Sequence, residues 1–486
     1  MKKEMTFKEL KDSGYTEKTI NEEIQANLIT RIKEKKPVFQ GLWGYEDTVV
    51  PQLKKAILAG HHINLLGLRG QAKTRIARSM VDLLDEYIPI VEGSEINDSP
   101  FQPISKYAKD LLAEKGDETP ISWVHRSDRF FEKLATPDVN VSDLIGDIDP
   151  IKAATLKLPY SDERVLHYGM IPRANRCIFV LNELPDLQAR IQVSLFNILQ
   201  EGDVQIRGFQ LRMPLDLQFV FTANPEDYTN RGSIVTPLKD RIGSQIFTHY
   251  PKSIELARAI TEQEAQIPAA DRERITISNR AKDLLEQVAF EARSSEYVDA
   301  KSGVSARMTI SAMENLIAAA KLRLIETGSE KTSVRLIDFP SIVPSITGKI
   351  ELVYEGEQEG ADEVARMLID NAVLSEFERI FPRIPKLEKE GVKTPYTDII
   401  DWFNANLLEL NYTDDDEDFL LNLKSVKPLV DLVDEYCPDA NDAEKSFCME
   451  IVLWSLTISD KLDKAENDAA FKFDAANART PFFGNN

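Results

Sequence analysis

Short apolar runs alternate with stretches of helical periodicity from Gly41 onward. The clearest apolar runs cover residues 63–66, 177–181 and 217–221, and each ends directly before a glycine, an asparagine or a threonine. Nearly continuous apolar strands are typical of a parallel sheet that is covered by helices on both faces. The pattern therefore predicts an α/β fold built on a parallel sheet.

The region before this sheet is predicted to be an N-terminal helical arm. Residues 1–38 are polar and rich in helix formers, and Pro37 marks their boundary with the predicted core of residues 39–250. Within that core, residues 94–172 form a long polar stretch that several prolines interrupt. A segment of this length between two strands indicates a functional insertion or one with a structure of its own.

Helical periodicity dominates the second half of the chain. Residues 253–266, 278–294 and 306–327 carry apolar side chains at helical spacing. These three segments predict a helical lid over residues 251–345.

The last part of the chain is expected to form a further domain. Residues 346–486 are predicted to be mostly helical and to end in a flexible acidic tail. Residues 349–355 alternate like a strand, and the acidic run at residues 414–418 is expected to be a solvated loop or face.

Composition is that of an ordinary globular protein. Its 486 residues predict roughly two to four structural units. Hydrophobic residues make up 43% and charged residues 29%, and no stretch is long and apolar enough to span a bilayer. The N-terminus lacks the apolar run of a secretory signal, and the three cysteines lie far apart in sequence, which favours a reduced, cytoplasmic protein with structural thiols.

The net charge of −21 argues against general nucleic-acid binding. A chain of this sign repels a polyanion at long range, and no Lys/Arg-rich arm or zinc-finger spacing is present. A locally basic pore would still be compatible with this charge.

A phosphate-binding loop is the strongest chemical signal. Residues 64–74 read Asn-Leu-Leu-Gly-Leu-Arg-Gly-Gln-Ala-Lys-Thr and join a predicted strand to a predicted helix over residues 75–87. Lys73 would reach the β- and γ-phosphates of ATP, and the Thr74 hydroxyl would bind Mg²⁺. Ala72 replaces the usual glycine before the lysine, and a chance turn before a helix is the alternative explanation. The candidate nucleotide-binding residues of the loop are Gly67, Leu68, Arg69, Gly70, Gln71, Ala72, Lys73 and Thr74.

The strand at residues 177–181 ends in Asn182 and Glu183, where a Walker B element would present Asp-Glu. Glu183 is placed to orient or deprotonate the attacking water. Asn182 is assigned to the metal, although an amide lacks the charge of a carboxylate. A strand-ending polar pair without function is the alternative, and its position after a phosphate loop argues against it.

Three further residues follow in the order that a nucleotide site requires. Asn224, after the strand at residues 217–221, is placed to bond the γ-phosphate and the attacking water, although Pro225 also fits a simple turn. Arg241 would reach the γ-phosphate of a neighbouring subunit, and Arg307 would contact the nucleotide of its own subunit. Each arginine, taken alone, is more often a surface charge.

Short sequence motifs around these residues resemble those of a known family. The ATPase subunit of magnesium chelatase is the protein that they resemble, while the loop alanine and Ser305-Ala306-Arg307 are more similar to the MoxR ATPases. The resemblance covers residues 41–345. The motifs that carry it are Ser-Glu-Ile-Asn-Asp at 94–98, Ala-Thr-Pro-Asp at 135–138, Leu-Ile-Gly-Asp-Ile-Asp at 144–149, Ile-Pro-Arg-Ala-Asn-Arg at 171–176, and Leu-Gln-Glu-Gly-Asp at 199–203 followed by residues 207–213. The last of these resembles the hairpin that precedes the sensor 1 strand in this family.

This resemblance implies an AAA+ protein of the helix-2-insert clade. The expected features are a P-loop αβα core, a helical lid, and a ring, usually a hexamer, that holds ATP between subunits. By the same resemblance, Gly44 and Tyr45 would lie near the adenine.

Several functions are compatible with this resemblance. The first is a remodelling ATPase that works with a partner carrying a von Willebrand factor type A domain. The second is a true magnesium chelatase subunit, and the third is a weakly hydrolysing or non-hydrolysing scaffold, which Asn182 makes reasonable. A sigma-54-type activator ranks lower, because no Gly-Ala-Phe-Thr-Gly-Ala loop precedes residue 177.

Overall fold

A computed structural model of the chain describes residues 5–160, 162–206, 212–225, 233–385, 393–467 and 470–476. The chain divides into two compact units, Met1–His249 and Tyr250–Asn486. The predicted acidic tail lies mostly outside the described residues, as do residues 207–211 of the segment that resembles a chelatase hairpin. In the described part of the chain, no helix combines the length and apolarity needed to cross a bilayer.

The first unit is built on a five-stranded sheet in the order β5-β1-β4-β3-β2, with every neighbouring pair parallel. Side chains alternate between the two faces of each strand. Val180 therefore packs with helices Val49–Leu58 and Lys73–Ser79, and Phe179 packs on the opposite face. This arrangement confirms the predicted parallel α/β core. The strands are β1 Ile63–Leu66, β2 Phe130–Leu134, β3 Cys177–Asn182, β4 Leu217–Ala223 and β5 Ser244–Phe247.

The N-terminal residues pack into this unit. Helices Phe7–Asp12 and Ile20–Lys33 both begin at a threonine that forms a capping box. Ile24 in the second helix is buried in the same core as β1. Strand Met5–Thr6 also pairs antiparallel with Pro120–His125. The predicted N-terminal arm is therefore helical and contributes to the core of the first unit.

Two predictions about the first unit were wrong. The helix expected over residues 75–87 is α-helical only as far as Ser79, continues as a 3₁₀ helix over Met80–Leu83, and gives way to a strand that begins at Tyr87. Residues 94–172 also contain β2, so this segment is not an insertion outside the sheet. Its other elements are helices Lys106–Lys115, Val141–Leu144, Pro150–Leu156 and Met170–Arg173, and strands Pro120–His125, Gly146–Ile148 and Leu166–Tyr168.

Short elements connect β3, β4 and β5. Strands Asp203–Gln205 and Arg212–Pro214 pair antiparallel just before β4, where the resemblance implied a hairpin. The connecting helices are Ala189–Ser194, Phe196–Glu201 and Thr236–Arg241.

The second unit begins with the helices that the sequence predicted. Ser253 and Ser278 cap the first two, as a serine before an apolar helical stretch indicates. The strand expected at residues 349–355 was wrong, because Leu352 forms only an isolated bridge and a helix starts at Tyr354. The main helices are Ile254–Glu264, Asn279–Ser294, Arg307–Thr327, Ala361–Ile380, Thr397–Phe403, Asp416–Lys424, Lys427–Tyr436 and Asp442–Ile458.

One hydrophobic core runs through the second unit, from Ala265 to Phe473. A three-stranded antiparallel sheet that the sequence did not predict packs into it, in the order Leu408–Asn411, Ala470–Ala475, Leu462–Glu466.

The acidic run at residues 414–418 is not merely a solvated face. Asp416 accepts hydrogen bonds from Arg335 at 2.8 Å and from Thr332 at 2.8 Å, and Asp415 caps the helix Asp416–Lys424. Two of its carboxylates therefore stabilise the second unit.

Candidate nucleotide-binding site

The phosphate loop connects β1 to the helix Lys73–Ser79, and its shape requires specific small residues. A Cβ atom on Gly67 would lie 1.9 Å from Thr248 Oγ1 and 2.2 Å from Gln71 Oε1, so only glycine fits there. Ala72, with φ of 54°, adopts the left-handed conformation that favours glycine. The loop therefore has the geometry of a phosphate loop at the cost of some strain at Ala72.

Buried hydrogen bonds from Thr248 and Tyr45 support this loop. Thr248, which follows β5, donates from its hydroxyl to Gln71 Oε1 at 2.8 Å. The Tyr45 hydroxyl lies 2.9 Å from the carbonyl oxygens of both Gln71 and His249. Tyr45 and its neighbour Gly44 thus lie beside the phosphate loop, and their role at an adenine stays a prediction.

Lys73 lies at the centre of the site. Its side chain is buried, and its ammonium donates to the carbonyl oxygens of Gly67 at 2.5 Å and Leu68 at 3.0 Å, and to Asn224 Oδ1 at 2.6 Å. The structure therefore brings the loop lysine to the end of β4. Arg69 and Gly70 complete the loop, with the Arg69 side chain exposed.

Asn224 links Lys73 to the predicted water-activating residue. Its Nδ2 atom donates to Glu183 Oε2 at 2.8 Å. Glu183 has a left-handed backbone with φ of 55°, a conformation that costs about 1–3 kcal/mol in a residue other than glycine. Strain of this kind is concentrated at functional sites. The ends of β3 and β4 thus present a cation, an amide and a carboxylate in one hydrogen-bonded series.

Asn182 is held between two side chains. Its Oδ1 atom accepts a hydrogen bond from Thr222 Oγ1 at 3.0 Å, and its Nδ2 atom donates to Glu132 Oε1 at 2.6 Å. Glu132 lies on β2 and also accepts from Arg78 at 2.7 Å. Sequence analysis missed Glu132 because it missed β2.

Thr74, Asn182 and Glu132 offer the chemistry that Mg²⁺ prefers. A hydroxyl, an amide oxygen and a carboxylate are all hard oxygen ligands. Within the described ranges, no three His, Cys, Asp or Glu side chains form a cluster that could hold a metal by themselves. A metal bound here would therefore depend on Thr74, Asn182 and its surroundings, together with the phosphates of a nucleotide.

The two predicted arginines lie in different units. Arg241 ends the helix Thr236–Arg241, stacks on Phe196 with its guanidinium 5.1 Å from the ring centroid, and donates to Gln200 at 3.1 Å. These contacts in the described structure are outside the phosphate loop. Arg307 begins the helix Arg307–Thr327 of the second unit. Neither predicted role is tested by these positions.

Cys177 begins β3 and is fully buried. Burial raises the pKa of its thiol to about 12. It is a structural thiol in the core, as the composition led us to expect.

Comparisons with known proteins identify several sequences that are similar to this chain. The sigma-54 interaction domain matches residues 159–242. The magnesium-chelatase 38 kDa subunit of Cereibacter sphaeroides is 26% identical over 242 residues, covering 48% of this chain and 65% of that protein. The chloroplastic magnesium-chelatase subunit ChlI-2 of Arabidopsis thaliana is 27% identical over 279 residues, covering 55% and 63%. The chain therefore spans slightly less than two thirds of the length of these relatives.

A solved structure of the complex between subunits BchI and BchD of magnesium chelatase also aligns with the chain. Sequence identity is 19% and the TM-score is 0.36, over 72% of this chain and 96% of that one.

The parallel sheet, the phosphate loop after β1 and the sequence similarities define a P-loop protein of the AAA+ ATPase class. Within that class, the chain is related to the subunits of magnesium chelatase. This relationship confirms the resemblance that the short sequence motifs indicated.

Proposed function

We propose that this chain binds ATP with Mg²⁺ at residues 67–74 and hydrolyses it as one subunit of a hexameric ring. The hydrogen-bonded series from Lys73 through Asn224 to Glu183 carries the proposal. A lysine that binds phosphate, an amide that senses it and a carboxylate that activates water are the groups that phosphoryl transfer to water requires.

Two substitutions test this division of roles. Lys73→Ala removes the cation nearest the phosphates, so both the affinity for ATP and the turnover should fall. Glu183→Gln keeps the size of the side chain but removes the base, so ATP should stay bound and turnover should stop. Binding of a fluorescent ATP analogue and release of phosphate measure the two effects separately.

A control with the same loss of charge is Lys55→Ala, because Lys55 is exposed on the helix Val49–Leu58. It should behave like the unchanged protein. Normal hydrolysis in Lys73→Ala would refute the assignment of this loop, and equal loss of affinity in both test variants would refute the separate role of Glu183.

The motor is proposed to act on a partner protein or a metal-cofactor client, with a partner that carries a von Willebrand factor type A domain. The MoxR-like loop alanine and the long segment after residue 345 support this function over chelation. Co-purification with a tagged chain, followed by mass spectrometry, tests it. Recovery of no type A domain protein under conditions that preserve the ring would contradict it.

A genuine magnesium chelatase subunit is the second candidate. The similarity to chelatase subunits from Cereibacter sphaeroides and Arabidopsis thaliana favours it. Adding the chain to a chelatase assay that lacks only its ATPase subunit distinguishes the two, because restored Mg²⁺ insertion would support this candidate. A nucleotide-dependent scaffold would instead bind ATP without turnover at any Mg²⁺ concentration.

A further inference from the structure

A carboxylate lies directly beside the strand-end amide of Asn182. We propose that Glu132 supplies the negative charge next to the nucleotide-bound Mg²⁺, replacing the strand-end acid that this chain lacks. The inference rests on the proposed function, since it concerns the metal that accompanies ATP at the same loop. It extends the metal site to β2, the strand at the edge of the sheet.

The orientation of the Asn182 amide follows from its two partners. An ionised carboxylate only accepts hydrogen bonds, so the NH₂ group must face Glu132, 2.6 Å away. The amide oxygen then faces the Thr222 hydroxyl, 3.0 Å away. Glu132 therefore fixes the direction of the Asn182 oxygen as well as contributing its own charge.

Glu132 lies on the correct face of the sheet. It pairs with Val180 in the parallel ladder, and Asn182 lies two residues further along the same strand, so both side chains share one face. That face carries the phosphate-loop helix. Arg78, four residues after Thr74 and so on the same side of this helix, donates to Glu132 Oε2. The carboxylate thus lies between the strand-end amide and the helix that carries Thr74.

The Glu132 carboxylate retains charge that it can offer to a cation. Its side chain is only 24% exposed, whereas that of its partner Arg78 is 65% exposed. Ion pairs that reach the solvent are weak, so Arg78 neutralises Glu132 incompletely. Mg²⁺ is normally bound by one or two carboxylates along with nucleotide phosphates, and no carboxylate is available at position 182.

The same contact explains why position 182 is an amide. An aspartate there would place two carboxylates about as close together as the present hydrogen bond, and like charges at that distance disfavour ionisation of both. Glu132 and Asn182 together carry one negative charge. A normal strand-end acid would carry the same charge one strand closer to the centre of the sheet.

Four proteins test this inference: the unchanged chain, Glu132→Gln, Asn182→Asp and the double variant that exchanges the two side-chain types. The primary measurement is the Kd of a slowly hydrolysed ATP analogue, with Mg²⁺ and with EDTA. Loss of a residue that supports a metal typically weakens metal binding roughly tenfold to a hundredfold. The gain in affinity from Mg²⁺ is the ratio of the Kd in EDTA to the Kd with Mg²⁺. In Glu132→Gln this ratio should fall at least about tenfold, while the Kd in EDTA should stay unchanged.

The other variants separate a charge effect from damage to β2. Asn182→Asp should lower the Tm in EDTA through carboxylate repulsion, and the double variant should recover both the Tm and the Mg²⁺-dependent gain, because its new amide can again donate to a carboxylate. Glu86→Gln, which removes an exposed carboxylate, is the control for net charge and should match the unchanged chain.

The possible outcomes are distinct. If the unchanged chain gains no affinity from Mg²⁺, the proposed function fails together with this inference. If that gain is present and Glu132→Gln keeps it, only the role of Glu132 is overturned. Failure of the double variant to recover the gain, in a protein with normal Tm, would also overturn it.

Discussion

Removing one partner of the buried ion pair between Glu23 and Arg129 should destabilise the first unit strongly. The two side chains are 4% and 1% exposed, and they form two hydrogen bonds, at 2.6 and 2.7 Å. Arg129 also donates to the carbonyl oxygen of Arg176, and Glu23 accepts from the amide of Asp85. Burial alone would lower the pKa of Arg129, but the bonds to Glu23 outweigh it, and the pKa is raised.

Glu23→Gln leaves the arginine charge buried without a counter-ion. Breaking a buried pair in this way costs about 3–5 kcal/mol. For a unit of this size, each kcal/mol lowers the Tm by about 2–4 °C, so the Tm should fall by about 6–20 °C. Thermal unfolding followed by circular dichroism, with the Tm of the first transition compared between variants, measures the change.

Two controls make this test specific. Asp117→Asn breaks the exposed pair with Lys11, whose side chains are 56% and 46% exposed, and it should leave the Tm nearly unchanged. The apolar double variant Glu23→Leu/Arg129→Met removes both charges and should recover most of the lost stability. If Glu23→Gln and Asp117→Asn lower the Tm equally, burial does not determine the strength of the Glu23 pair and the reasoning is wrong.

Three further predictions address the loop, the second unit and the ring. Ala72→Gly relieves the left-handed strain, so the free energy of unfolding should rise by up to about 1 kcal/mol, and the Tm should rise with it, without loss of nucleotide affinity. A lower Tm would contradict this. Burial raises the pKa of Glu450 to about 8, so the folded protein holds a proton that the unfolded chain releases, and stability should fall as pH rises from about 4.5 to 8. Urea titrations should show a flatter pH profile in Glu450→Gln. Arg241→Ala should retain ATP affinity but lose turnover in assembled protein, whereas Lys239→Ala, two positions earlier in the chain, should not.

The sequence predicted the central strands because their composition is unambiguous. β1, β3 and β4 are buried on both faces and therefore consist mostly of apolar residues. The edge strand β2 reads Phe-Phe-Glu-Lys-Leu, and its two charges break the apolar run. An edge strand tolerates such charges, so apolar continuity could not detect it. Because β2 was not predicted from the sequence, Glu132 was not identified as a candidate site residue.

Contacts between residues far apart in the chain were the other feature that the sequence pattern did not predict. Ile20, Ile24 and Leu28 repeat every four residues, a narrow apolar stripe that was present in the sequence and could have indicated a packed helix. Glu23 on the same helix finds its partner 106 positions away. Local patterns do not show such pairs, and the segment therefore looked like a polar arm.

The hydrogen bonds of Asn224 place its amide between Lys73 and Glu183, so the proposed contact of Asn224 with a phosphate would also affect Glu183. Its amide uses both ends, since its oxygen accepts from Lys73 and its nitrogen donates to Glu183. A phosphate oxygen is an acceptor, so it competes for the N–H groups of Lys73 and Asn224 and not for the carboxylate. An Asn224 N–H that turned to a phosphate would no longer donate to Glu183 Oε2. If Glu183 is the proposed base, the loss of this donor would make its carboxylate a better proton acceptor when a phosphate is bound.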